Sequence, residues 1–336
     1  MIYLGEQTKA KNIYAKEAIC WLGIKIKGRK SKSNILGYVC DDSGCVHCNS
    51  SMKKRGSIAQ NFRDLFTTEH IRTLIVGKPQ DLIRLYDELL KDYLDLGKTE
   101  DDFKRNAKKL IVLSGYKGWF LNKDKYDQKV KWNYRLAKLL DHHTCLYCNR
   151  EYIFTYINDK GGKGMVPQFD HWFNKSDYPL LGLSFYNLVP SCATCNTIKS
   201  SVKLNLEDYL HPYLDINISN SYYFNFLMDS TDNPYISFRE NHPHKKGIKT
   251  IEAINLPLIY KGHSNKELKD LYDLRFKYPD NYLKVLLEKT FSSTISISKQ
   301  DRYRLIFGIE LEKEDYHKRI MSKFKNDIIK KLLKIE

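Results

Sequence analysis

Two Cys-x-x-Cys pairs, Cys145-Leu-Tyr-Cys148 and Cys192-Ala-Thr-Cys195, constrain this chain more than any other feature. Each pair sets two thiols on one tight turn, and two such knuckles complete a tetrahedral four-cysteine shell for zinc. A closed shell has no open coordination position, so the reading predicts a structural metal. It would tie the segment before Glu151 to the start of the helix after Cys192, a useful staple for a small ββα unit with little apolar surface to bury. The plain alternative is a set of unrelated buried thiols, against which two correctly spaced pairs weigh heavily.

The chain carries eight cysteines. Its first residues lack a continuous apolar stretch, Ala18 to Ile26 is short and broken by Lys25, and no run approaches the roughly 20 apolar residues that cross a bilayer. The expectation is a cytoplasmic protein with no membrane partner, in a reducing compartment where such spacings mean metal ligands before disulfides. A second group, Cys40, Cys45 and Cys48 with His47, could form another zinc site with a remote fourth ligand. Its irregular Cys40–Cys45 spacing favours an incidental trio, and Cys20 reads as a core residue.

The expected class is α+β, in three parts: a mostly helical region over 1–140, a compact core over 141–204 and a mostly helical region over 205–336. A Gly/Ser/Lys-rich stretch from Gly28 to Gly37 reads as a mobile loop. Pro79 opens a helix that stops at Gly97. Thr99 caps another, with acids in its first turn, ending near Gly115. Asp124 to Leu140 gives a third. Next, Glu151 to Ile157 is β-branched and aromatic, Asn158 to Gly164 supplies a turn and Met165 leads into a second strand, which together read as a β-hairpin. From Asn187 to about Leu204 the pattern is a loop passing into a helix. Strands are expected at Tyr222 to Met228 and Tyr235 to Arg239, then helices from about Lys245, the last a basic one from Glu312 to Lys334.

The net charge is +16, from 56 Lys+Arg against 40 Asp+Glu. A surplus of that size favours a polyanionic partner, because neutralised phosphates release condensed counterions; a lysine-heavy but unspecialised surface explains it equally well. Lys318, Arg319, Lys323, Lys325, Lys330, Lys331 and Lys334 on the last helix are candidates to lie along a duplex, although a charge run on a helix is usually a solvated face. Trp119, Trp132 and Trp172 read as core.

Between the knuckles lie Phe169-Asp170-His171-Trp172-Phe173 and then Tyr186-Asn187-Leu188-Val189-Pro190-Ser191, and Cys195 is followed by Asn196-Thr-Ile-Lys199. This order resembles the HNH (ββα-metal) endonuclease family, whose pattern runs Cys-x-x-Cys, Asp/Glu-His, then Asn-Leu-x-x-x-Cys-x-x-Cys-[His/Asn]-x-x-Lys. The stretch from Asp170 to Pro179 is similar to a bacterial anti-phage subgroup, that of the HNH partner of the Septu system and retron-associated nucleases. Asn174 departs from the proline usual there. The resemblance covers about residues 142 to 203 and extends faintly through His211 to Asp215 and Ile251 to Leu256; the first 140 residues match no named family.

Phosphodiester hydrolysis needs an activated water, a cation at the pentacoordinate phosphate and stabilisation of the leaving oxygen. An imidazole titrates near neutrality, which makes His171 the natural general base. The resemblance implies that Asp170 and Asn196 hold one Mg²⁺ or Mn²⁺, hard cations suited by oxygen ligands, and that Asn187 braces the loop and orients His171. Lys199 is the weaker candidate, for phosphate contact. Adjacent strand residues face opposite ways, so Asp170 and His171 could serve one phosphate only through a local distortion, which the resemblance implies. Each residue has a plainer reading: a lone histidine is more often surface or core, and Asn187 alone is an ordinary turn former. Their joint order inside one cysteine framework argues for chemistry. His142 and His143 read as end-of-helix residues, and His211 as a possible supporting group.

Two rivals belong to other classes. A zinc deaminase needs a His-x-Glu or Cys-x-Glu segment, and none occurs. A non-catalytic zinc module gripping nucleic acid or a protein predicts that Asp170, His171 and Asn196 are dispensable. The expectation is therefore an HNH endonuclease acting on DNA, with RNA left open, with Zn²⁺ as structural metal. By analogy alone, the resemblance adds an anti-phage role beside an ATPase partner.

Overall fold

Helical order begins with a 20-residue helix, α1 (Thr8–Lys27), which buries Tyr14, Ala18, Cys20, Trp21 and Ile24. In the computed structural model the described residues are 1–40, 45, 47, 52, 57–122, 131–156, 164–200, 202–241, 245–279, 281–291 and 296–334. Short α2 (Gln60–Asp64) and α3 (Thr68–Val76) follow, then α4 (Pro79–Asp95). In α4, Pro79 lies in the first turn, Leu82, Leu85, Tyr86, Leu89 and Tyr93 make a buried stripe at helical spacing, and Gly97 beyond its end takes φ 70°. The Thr99 hydroxyl accepts from the Asp102 amide at 3.2 Å and opens α5 (Glu100–Ala107).

The expected stop near Gly115 is not one. The chain continues from α5 into a π-helix over Lys108–Phe120. Gly115 is buried inside it because an added Cβ would stand 2.5 Å from Leu183 Cδ1. The glycine marks a close approach there, not a terminus. Of the third expected helix, α6 (Trp132–Leu140) is present, and 123–130 lie outside the described residues. Trp119 and Trp132 are buried in one aromatic cluster with Tyr14 and Trp21, and Trp172 is buried elsewhere in the core, as their sequence contexts suggested. The Gly28–Gly37 stretch is pinned: Lys30 and Tyr38 amides bond the Tyr38 and Gly28 carbonyls, and Asn34 donates to the Lys27 and Arg29 carbonyls at 2.9 Å.

The central strands differ from expectation. Glu151 to Tyr156 folds back on the first knuckle, with the Cys145 amide on the Glu151 carbonyl and the Ile153 amide on the His143 carbonyl, making only isolated bridges. Most of the expected turn, over 157–163, lies outside the described residues. The sheet partners are β1 (Gln168–His171) and β2 (Leu188–Ser191), antiparallel with Phe169 opposite Pro190 and Asp170 opposite Val189. β2 carries a proline and only four residues, so periodicity did not mark it; a two-stranded sheet tolerates proline because each strand has an unpaired edge. After β2 comes α7 (Ala193–Lys199).

β3 (Tyr222–Met228) and β4 (Pro234–Glu240) form the expected second hairpin. The remaining helices are α8 (Lys246–Ala253), α9 (Leu256–Lys261), α10 (Lys269–Phe276), α11 (Tyr282–Glu288), α12 (Lys299–Phe307) and α13 (Ser322–Leu333). The fold is α+β, and one buried apolar cluster runs from Met1 to Leu332 through all three regions of the sequence. No helix among the described residues is long and apolar enough to cross a membrane.

The basic C-terminal run is not wholly a solvated stripe. Lys323 is 1% exposed. Its ammonium donates to the Tyr222 carbonyl at 2.9 Å and Asp327 at 2.8 Å, and lies 4.6 Å from the centre of the Tyr222 ring. Lys325 donates to the Phe307 carbonyl, and Lys331 to Asn225 and to the Phe226 carbonyl. These lysines fasten α13 to β3 and to the end of α12; Lys323 is thereby removed from any surface available to a duplex, whereas Lys331 stays exposed. Truncating one partner of a buried ion pair strands the other, at about 3–5 kcal/mol. Lys323→Ala should therefore lower unfolding free energy by about 3 kcal/mol in urea titration, whereas Lys330→Ala should stay within about 0.5 kcal/mol; equal small losses would return Lys323 to the surface.

Candidate metal centre and active site

The sulfurs of Cys145, Cys148, Cys192 and Cys195 all lie within 4.8 Å of one another, and all four residues are buried. Adjacent sulfurs around a zinc ion with bonds of about 2.3 Å stand about 3.8 Å apart, so the cluster has the right size. Local structure sets it up. Cys192 is the residue before α7, and its Sγ accepts from the Cys195 amide at 3.4 Å, the knuckle hydrogen bond. In the first knuckle the Arg150 amide points at Cys148 Sγ at 3.3 Å. Burial, and then the neighbouring sulfurs, push the Cys145 thiol well up. Four buried thiols cannot all ionise without a cation to offset them, and the donor set fits a soft divalent ion.

The carboxylate of Asp170 is gripped from both knuckles. Tyr147, inside the first, donates its hydroxyl to Asp170 Oδ2 at 2.6 Å. Lys199, one turn beyond the second, places its ammonium 3.1 Å from the same oxygen. Lys199 was expected to touch phosphate. Instead it is 1% exposed, and its ammonium also donates to the His171 and Trp172 carbonyls. It clamps the end of β1 onto α7. Its distance of three residues from Asn196 put it on the right helix face, but the spacing gave no sign that this face is covered.

His171 is 4% exposed. Its Nε2 lies 3.0 Å from the Gly182 carbonyl. A carbonyl only accepts, so Nε2 carries the proton and Nδ1 keeps the lone pair. The ring meets Tyr116 edge-on at 4.5 Å. Burial first, then the charge of Lys175, lowers its pKa to about 3, so it is the neutral, proton-accepting form at physiological pH. β1 pairs residue for residue with β2, without an inserted residue. The strand therefore carries no distortion of the kind expected: Asp170 turns toward Tyr147 and α7, and His171 toward Gly182 and the π-helix. Partial burial lowers the Lys175 pKa, the Asp170 charge opposes that, and Lys175 in turn lowers His171.

Asn187 is fully buried. Its Oδ1 accepts from the Phe173 amide at 2.7 Å, and its Nδ2 donates to the Phe173 and Leu181 carbonyls. It braces the segment between β1 and Gly182, and so the carbonyl that holds His171, without itself bonding the imidazole. Asn196, half-buried on α7, donates to Gln168 Oε1 at 2.6 Å, which leaves its oxygen as the atom to offer a cation. Gln168 and Asp170 share a face of β1 by alternation, so Asn196 and Asp170 flank the same strip. An oxygen from each is the donor type that a hard divalent ion takes. Asn174 supplies what the usual proline does not, a tether from its Nδ2 to the Ser200 carbonyl at the end of α7 at 2.8 Å.

Tyr147, Tyr116 and Lys175 escaped sequence reasoning as members of this site. Nothing in knuckle spacing distinguishes an aromatic residue between its cysteines, and Tyr116 lies beyond the expected end of its helix. His142 and His143 directly follow α6, as expected. Of the second cysteine group, Cys48 lies outside the described residues. Cys40 and Cys45 meet Cys20, which is buried but is more than core filling: the three sulfurs lie within 4.8 Å of one another. No protein-family model, curated protein or solved structure matches this chain.

His211 underlies the site, fully buried with its ring 4.6 Å from Trp172. Its Nδ1 accepts from the Tyr213 amide at 3.2 Å. Burial, and then Lys199, lowers its pKa to about 3. An unfolded chain binds a proton at this residue as pH falls through about 6.5, and the folded chain does not until about 3, so stability is lost across that window and not above it. His211→Phe should therefore lose about 2 kcal/mol less than wild type between pH 7 and pH 5, by urea unfolding at both. Identical losses would mean that His211 protonates in the folded state.

Proposed function

We propose that the chain is a metal-dependent endonuclease of the HNH (ββα-metal) type that hydrolyses phosphodiester bonds in DNA. The observation that carries this reading is the Asp170 carboxylate held between two cysteine knuckles, with Asn196 facing β1 from α7. His171, the next residue on β1, turns to the opposite side, so its action on the same phosphate requires the strand to twist there when substrate binds. The order β1, β2, α7 and the buried four-cysteine cluster support a ββα core stapled by zinc.

His171 is the general base. Its protonated Nε2 is fixed by the Gly182 carbonyl, so Nδ1 is the atom that takes a proton from the attacking water. Asn187 keeps that carbonyl in place by bonding both ends of the intervening segment. Asp170 and Asn196 would hold Mg²⁺ or Mn²⁺, which when bound neutralises charge developing on the phosphate. Tyr147 and Lys199 keep the Asp170 side chain from rotating. Lys175, exposed and within electrostatic reach of both Asp170 and His171, is the cation best placed to meet substrate phosphate, a role first considered for Lys199. The family resemblance extends the proposal to an anti-phage role with an ATPase partner; co-purification from the native operon should recover an ATPase, and its absence would remove that part.

The burial of His171 and its turn away from Asp170 on a regularly paired strand favour a second reading, a zinc module that binds DNA or a partner without cutting. A cleavage assay with Mg²⁺ or Mn²⁺ separates the two. Wild type should cut DNA, and His171→Ala should be slower by at least about 100-fold, with zinc content unchanged and the fold retained by circular dichroism despite a lowered melting temperature. Wild-type protein that binds DNA but leaves it intact with either ion would select the second reading.

A further inference from the structure

We propose that Cys20, Cys40 and Cys45 form a second zinc site, separate from the Cys145–Cys195 cluster. Their sulfurs all lie within 4.8 Å of one another, which accommodates the spacing of about 3.8 Å between thiolates on one zinc ion. Cys20 sits on α1 and is fully buried, Cys40 is half-buried just beyond the pinned turn that ends at Tyr38, and Cys45 is buried. Cys20 comes from a helix twenty residues upstream of Cys40, so the convergence is tertiary and not a by-product of a local turn.

The chemistry of the donor set narrows the occupant. Three sulfurs and no carboxylate select a soft ion over magnesium or calcium. None of the three is in a disulfide, and an odd number of thiols in mutual contact cannot all be satisfied by pairing. Three thiolates leave one position of a tetrahedral ion for a further donor.

Packing supplies the reason for a staple here. The sequence from Cys40 to Ser51, Cys-Asp-Asp-Ser-Gly-Cys-Val-His-Cys-Asn-Ser-Ser, contains one aliphatic side chain. Such a stretch cannot bury itself by the hydrophobic effect, yet Cys45 and His47 are buried, and the His47 ring lies 6.1 Å from Trp119. Trp119 in turn stacks on Trp21, the residue after Cys20. An ion shared by Cys20, Cys40 and Cys45 would hold Cys45 and His47 against α1 and the tryptophan cluster. Metal binding free energy would replace apolar burial.

The test is metal content of the full chain, purified without chelators and measured by inductively coupled plasma mass spectrometry. Wild type should carry two zinc ions per chain. Cys40→Ser, altered at the most exposed of the three ligands, should carry one, with its far-ultraviolet circular dichroism unchanged. Cobalt(II) reconstitution gives a second readout: the sulfur-to-cobalt absorbance of wild type should exceed that of Cys40→Ser. One zinc or none in wild type would overturn the proposal, as would Cys40→Ser retaining two. Neither measurement depends on nuclease activity, so the outcome stands apart from the function proposed above.

Discussion

The grip on Asp170 from two sides organises the centre of this protein. Tyr147 reaches it from the first cysteine knuckle and Lys199 from the helix that follows the second. Any ion that joins the four sulfurs therefore also fixes the distance between the two groups that hold this carboxylate. The register of β1 against β2, the position of α7 and the backbone carbonyls under Lys199 all follow from that pairing. The arrangement also ties the centre to the C-terminal region. Asn149, one residue past the first knuckle at φ 52°, donates to the Tyr316 and Arg319 carbonyls, and its own carbonyl accepts from the Met321 amide. Tyr260 donates to the Cys148 carbonyl.

The role of the four-cysteine cluster changes in this context. In an isolated ββα unit a metal would be needed because too little apolar surface is buried. Here the four cysteines lie inside an apolar cluster that reaches both ends of the described chain, so bulk burial is not lacking. What apolar packing does not supply is direction: it tolerates small shifts that repack side chains, whereas thiolates on one ion do not. With an ion bound, the cluster would fix where Asp170 and α7 stand more than it would hold an otherwise unstable fold together.

Much of the site was legible because metal-ligand spacing is a local code. Two Cys-x-x-Cys pairs announced their own geometry, and Thr99, Pro79 and Gly97 announced helix ends, because knuckles and caps are decided within a few residues. What failed depended on distant chain. Gly115 looked like a stop but answers to Leu183; β2 was hidden by its proline and its length; Lys199 and Lys323 read as surface charges because spacing does not say which face is covered. Cys20 is the buried core residue it was read as, but with neighbours the sequence did not show. A cysteine in an apolar helix reads as filling, and only the return of the chain through Cys40 and Cys45 gives it partners.

The buried lysines also change what the net charge means. A surplus of +16 reads as an attraction to polyanions; Lys199 and Lys323 are each matched by a buried carboxylate, so the surplus itself is carried by other residues. Lys175 differs from them. It is exposed, its pKa is lowered chiefly by partial desolvation, and it lies over the Tyr116 ring at 5.3 Å, beside both Asp170 and His171. A cation in that position can meet an anionic ligand without uncovering the core.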